Sequence, residues 1–118
     1  QGDWSSDVCS SDLKQIKDER WFKGGKLKDV FLDNSFVLIQ NEPLPHCTLS
    51  DTSVGLKIHF YPDASYPILQ VYTPPHRRSI AIENLSSAPD AFNNKIGLVE
   101  LKADQSHAFK TMIKVDSF

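Results

Sequence analysis

The seven residues VGLKIHF, 54–60, constrain this chain more than any other stretch. Val54, Leu56, Ile58 and Phe60 alternate with Gly55, Lys57 and His59, the two-residue period of a strand with one face on a core. A helix would need apolar residues three and four apart, and Pro62 and Pro67 bar a helix from continuing through the turn-like YPDASYP. Three more runs behave alike. In ILQVYTPP, Leu69 and Val71 share one face while Gln70 and Tyr72 take the other. In SIAIENL, Ile80 and Ile82 share a face, and Ser79, Ala81 and Glu83 lie opposite. FLDNSFVLIQ is rich in aromatic and β-branched residues, which favours a strand entering at Asp33-Asn34.

The remaining segments read as connections and one closing strand. Charges crowd KQIKDERWFKGGKLKD and Gly24-Gly25 breaks any helical period, so a loop or hairpin tip is expected there, with the first core element near Val30. NEPLPHCTLSDTS carries two prolines and several turn formers and reads as a connection. SSAPDAFNNKIG reads as a loop with a helical turn starting at Ser87 or Pro89. The chain closes with LVELKADQ and HAFKTMIKV, where Phe109, Thr111, Ile113 and Val115 alternate with Lys110, Met112 and Lys114. Short strands, turn signals and no long helix predict an all-β, antiparallel sandwich. If the chain is a piece of a larger sandwich, it exposes strand edges and a half-covered core.

The opening stands apart. GDWSSDVCSSDL offers little apolar surface to offset the entropy of ordering, and it resembles a translated frame of the adapter DNA used in short-read sequencing. Residues 1–13 are therefore expected to be an artefactual or disordered segment, with 14–118 forming one β domain. Without Asp3, Asp7 and Asp12 the formal charge moves from −2 to +1. Neither value suggests attraction to nucleic acid or to an anionic membrane, and no apolar run is long enough to span a bilayer as a helix. Setting Cys9 aside leaves Cys47, which argues against a disulfide framework and reads as a small buried thiol. The compartment is not legible.

Few residues suggest chemistry by type alone. Glu83 ends an otherwise apolar strand before a loop of Ser, Pro, Asp and Asn. A carboxylate there serves as a general base where burial raises its pKa; the commoner outcome is an exposed strand-end glutamate. Asp33 either binds polar hydroxyls or caps a turn with Asn34, and Asp90 reads as a loop-fixing cap. His46, His59, His76 and His107 lack the short paired spacings of a zinc site. His59 reads as a solvent-facing strand residue, and His76-Arg77-Arg78 as a solvated turn too short for a nucleic-acid surface. No phosphate loop, nucleophile elbow or dinucleotide fingerprint occurs.

A longer run carries a resemblance. Leu69-Gln70-Val71-Tyr72-Thr73, then Ile80-Ala81-Ile82-Glu83-Asn84, then Ala88-Pro89-Asp90-Ala91-Phe92-Asn93 resemble, in order and spacing, the C-terminal part of the aldose 1-epimerases, or galactose mutarotases. Upstream, LDNSFVL resembles that family's Asp-His-x-Phe element, with Asn34 in place of the histidine. The likeness covers roughly residues 27 to 115. Two departures bear on substrate preference: Pro74-Pro75 follows Tyr72-Thr73 where Gly-Asn is usual, and Lys102-Ala103-Asp104-Gln105 replaces a Lys-Pro-Gly-Glu turn.

The resemblance implies part of a β-supersandwich whose concave face binds a hexose such as galactose or glucose. It implies Glu83 as general base on the anomeric hydroxyl, Asp33 and Gln70 as residues that hold sugar hydroxyls, and no cofactor. The expected partner is a monosaccharide, with no nucleic acid or membrane; the oligomeric state is open. The family's general acid is an upstream histidine, and none matches here, because His46 and His59 follow Asp33. The expectation is thus an isomerase gene product of which this chain is an incomplete, inactive fragment. The alternatives are a non-catalytic carbohydrate-binding β-sandwich module and a structural β domain with an exposed Glu83.

Overall fold

The computed structural model describes residues 24–38 and 45–118 in full, together with the backbone of Asp7–Val8, Leu13–Gln15 and Trp21–Phe22. The chain is all-β. Its strands are β1 (Asp7–Val8), β2 (Leu13–Gln15), β3 (Trp21–Phe22), β4 (Gly25–Lys26), β5 (Asp33–Val37), β6 (Cys47–Asp51), β7 (Leu56–Pro62), β8 (Ile68–Tyr72), β9 (Ala81–Leu85) and β10 (Thr111–Ser117). A single helical turn, α1 (Ala91–Asn94), follows β9, and a 3₁₀ turn spans Leu27–Asp29. They form two antiparallel sheets, in the orders β10-β7-β6-β1-β4 and β3-β2-β5-β8-β9.

The two sheets share one core, and alternation decides which side chains enter it. Cys47 and Phe60 from the first sheet meet Phe36, Leu69 and Val71 from the second, with Leu49, Ile58 and Ile82 packed against them. Phe36, Cys47, Leu69 and Val71 are fully buried; full burial of such side chains contributes about 1.5–3 kcal/mol each. The cross-strand pairs Phe36↔Leu69 and Val71↔Ile82 put these residues on one face of the second sheet. Cys47 is a buried free thiol, as expected.

Several expectations shift. Cys47–Asp51, read as a connection, is a strand that pairs over its full length with β7, from Cys47↔Phe60 to Asp51↔Leu56. Its prolines precede the strand, so no ladder bond is lost. Val54 leaves the alternation it seemed to begin: it sits exposed in the turn between β6 and β7, where Ser53 donates to Asp51 Oδ1 from both its N–H (3.0 Å) and its hydroxyl (2.6 Å). The core begins before Val30, because Leu27 is already buried in it. LVELKADQ is irregular and largely exposed, and only Thr111–Ser117 of the closing stretch forms a strand.

Of the opening, Asp7–Val8 pairs with β4 and β6, and Leu13 begins β2; its other residues lie outside the described set. The tip expected at Gly24-Gly25 is not there: β2 and β3 pair as Leu13↔Phe22 and Lys14↔Trp21, and Gly24 follows that pair, where the chain passes from β3 in one sheet to β4 in the other. After β9 the chain folds back on itself: Ala88 N–H donates to Ile96 O at 3.0 Å. Gly97, at φ +73, approaches Ser86, Ser87 and Pro67 so closely that a Cβ would meet backbone at 3.0 Å. Ile68, next to Pro67, is buried although it faces away from Leu69.

Candidate functional site

The outward face of the second sheet carries the candidate site. Register across β5, β8 and β9 lays out three rows: Asp33, Tyr72 and Ala81; Ser35, Gln70 and Glu83; Val37, Ile68 and Leu85. Directly opposed residues on one face of a sheet have Cβ atoms about 4.5–5.5 Å apart. Asp33, Gln70 and Glu83, distant in sequence, therefore become neighbours.

Gln70 is the centre of this arrangement. Its Nε2 donates to Asp33 Oδ1 at 3.0 Å, and its Oε1 accepts from the Ser35 hydroxyl. Those two bonds fix which end of the amide points where, since an amide's oxygen can only accept and its nitrogen only donate. Gln70 is half-buried, while Asp33 and Glu83 are exposed. Glu83 is the middle residue of β9 rather than its end, because the strand continues through Asn84 and Leu85. β9 is the edge strand of its sheet, and register sets Glu83 directly opposite Gln70 on the same face.

A buried threonine holds the row in register. Leu32 N–H donates to Thr73 Oγ1 at 2.8 Å, Thr73 Oγ1 donates to Leu32 O at 3.3 Å, and Thr73 N–H donates to the same carbonyl at 2.7 Å. This clamp extends the β5–β8 ladder one residue past Asp33↔Tyr72 and so fixes Asp33 next door. The Asp33 N–H itself donates to Asn34 Oδ1 at 3.1 Å; Asp33 opens β5 instead of capping a turn, and its own carboxylate accepts from Gln70.

Ser35 and Tyr72 belong to the same surface and were not singled out by sequence. Ser35 has one signal, its place two residues after Asp33 on the same face. Tyr72, 38% exposed, offers an aromatic ring beside hydrogen-bonding groups, a combination suited to a ligand with an apolar face and polar edges.

The other candidates lie elsewhere. Asp90 adopts a left-handed conformation before α1; its carboxylate accepts from Asn93 Nδ2 at 2.7 Å and its carbonyl from Asn93 and Asn94 N–H, which fixes the loop. Arg77 is more than a solvated turn residue: its guanidinium lies 4.2 Å over the Phe31 ring and donates to Leu27 O, while Arg78 N–H donates to His76 Nδ1. His59 is half-buried on the outward face of the first sheet, between Thr48 Oγ1 at 3.0 Å and Asp116 Oδ2 at 3.1 Å. The His107 ring meets Phe109 at a tilt, centroids 4.6 Å apart. His46, before β6, has its pKa lowered by burial. Among the described residues, no group of three or more His, Cys, Asp or Glu is placed to hold a metal ion, and no helix is long and apolar enough to cross a membrane.

No protein-family model, curated protein or solved structure matches this chain. The site therefore rests on its own geometry. Chemically it offers two carboxylates and an oriented amide on one solvent-facing surface, which together can accept hydrogen bonds from, and donate one to, a polyhydroxylated ligand.

Proposed function

We propose that this surface is the sugar-facing part of an aldose 1-epimerase, with Glu83 as general base and Asp33 and Gln70 orienting the ring. The observation that carries the reading is the convergence of these three residues on one face, Gln70 bonded to Asp33 and lying opposite Glu83. Glu83 removes the proton from the anomeric hydroxyl as the bond between C1 and the ring oxygen breaks, and that oxygen takes a proton from an acid. Rotation about C1–C2 and the reverse transfers then close the other anomer. No electrons leave the sugar and no group is transferred, so the reaction needs no cofactor. A positioned acid or base contributes about 10²–10⁴-fold.

None of the four histidines lies in the three rows that hold Glu83, among the described residues. We therefore propose that this chain provides the base and the orienting groups but not the acid, and is by itself inactive. In this reading the two sheets are the C-terminal part of a β-supersandwich.

Two measurements test it. Titration with galactose and glucose, followed by NMR, is expected to shift resonances of Asp33, Ser35, Gln70, Tyr72 and Glu83 in the wild type and to fail in Gln70→Ala; unmoved resonances at saturating sugar refute sugar binding. Polarimetry on fresh α-glucose is expected to give the buffer rate. Catalysis by this chain that disappears in Glu83→Gln would support the mutarotase and refute the fragment. A second reading, a carbohydrate-binding module, draws on the same absence of an acid from the rows; it predicts sugar affinity unchanged by Glu83→Gln and no turnover in any longer form of the chain.

A further inference from the structure

Strand β10 closes one edge of its sheet and leaves half of its main-chain groups facing outward. Phe118 N–H donates to Gly55 O at 2.8 Å, and Lys110 O accepts from Asp63 N–H at 3.1 Å. Even-numbered residues therefore turn their backbone groups toward β7, and antiparallel alternation turns those of Thr111, Ile113, Val115 and Ser117 away from it. No described strand pairs with that side. An unpaired strand edge is a template for another strand.

The side chains along it are also uncovered. Ile113 and Val115 oppose Phe60 and Ile58 and so lie on the core-facing side of the sheet, yet they are 57% and 59% exposed. On the other side Met112 and Phe118 are equally open. Lys114 and Asp116 are the strand's two charges, and Asp116 is held over it by His59 Nε2 at 3.1 Å and Lys114 Nζ at 3.7 Å.

We propose that β10 pairs antiparallel with β10 of a second copy, about a two-fold axis through Val115, joining two sheets into one. Pairing must match both the outward hydrogen-bonding rows and the two faces, so the axis falls on a residue rather than between residues. Centring on Lys114 sets that residue against its own copy, and directly opposed like charges destabilise a sheet. Centring on Ile113 sets Asp116 against Lys110, one residue before the strand, but it sets the Lys114 charge against the apolar Met112. Centring on Val115 sets Lys114 against Asp116 twice, Met112 against Phe118 twice, and Val115 against itself. Only there is every pair of the Lys114-bearing face matched in kind, charge with opposite charge and apolar with apolar.

Sedimentation velocity from micromolar to millimolar concentration tests this pairing, with amide exchange as a site-resolved readout. The wild type is expected to reach dimer mass, with Ile113, Val115 and Ser117 amides gaining protection as concentration rises. Val115→Pro removes only an outward N–H, a position where edge strands accept proline, and is expected to stay monomeric. Should that variant unfold, Lys114→Glu decides: two attractive pairs become repulsive, weakening the dimer about tenfold or more. A wild type that is monomeric throughout, a dimer indifferent to Lys114→Glu, or protection arising only with a different polypeptide overturns the proposal.

Discussion

Replacing Thr73 by Val keeps the volume of a side chain that is only 6% exposed but removes the oxygen that accepts from Leu32 N–H at 2.8 Å. The neighbouring bond from Thr73 N–H to Leu32 O survives, so the ladder between β5 and β8 persists and one part-buried N–H is left without its acceptor. An orphaned buried donor costs about 1–3 kcal/mol. Partial access to water at Leu32 and the extra methyl of Val offset some of it, leaving a loss of about 1–2 kcal/mol, or about 5–10 °C in Tm for a domain of this size. Urea unfolding followed by circular dichroism reads the loss as a lower midpoint at unchanged m-value. Amide exchange supplies the local test: the Leu32 amide is expected to exchange about tenfold faster relative to its neighbours in Thr73→Val and not in Thr73→Ser, which keeps the acceptor. A Leu32 amide that tracks global stability equally in both variants would falsify the clamp, and with it the account of how Asp33 is positioned.

Gly97→Ala is expected to destabilise by about 2–4 kcal/mol, combining a left-handed φ of +73 with a Cβ set 3.0 Å from the backbone of Ser86 and Ser87. Gly25→Ala is the control, since its Cβ meets only the Val30 side chain at 3.3 Å; equal unfolding midpoints for the two would refute the argument. His46, whose folded-state pKa is lowered by burial, favours the neutral form in the native chain. Its contribution is fully present above the unfolded value near 6.5 and is lost as pH falls below it, because the unfolded chain binds the proton more readily. The urea midpoint of the wild type is expected to decline more steeply below that pH than that of His46→Asn, and parallel curves would exclude the effect.

The sequence by itself determined the elements whose side chains report their own environment. Ile58 and Phe60, or Leu69 and Val71, alternate with their neighbours because they face the core, and that period needs no knowledge of the partner strand. Residue type and place made Asp33 and Glu83 of interest one at a time, whereas Gln70 entered only through the family resemblance. Tertiary pairing decided the rest. Cys47–Asp51 became a strand because β7 offers it a complete ladder, an attraction that outweighs its turn-forming composition. Glu83 moved from strand end to strand centre because β8 extends the pairing to Leu85. Whether Gln70 faces Asp33 and Ser35, and which end of its amide meets each, follows from register between strands more than thirty residues apart; a slip of one residue would send all of them into the core. The exposure of Ile113 and Val115 was equally hidden, since their alternation matches that of any core strand. What a side chain is covered by depends on the opposing sheet, and a single strand's sequence does not contain it.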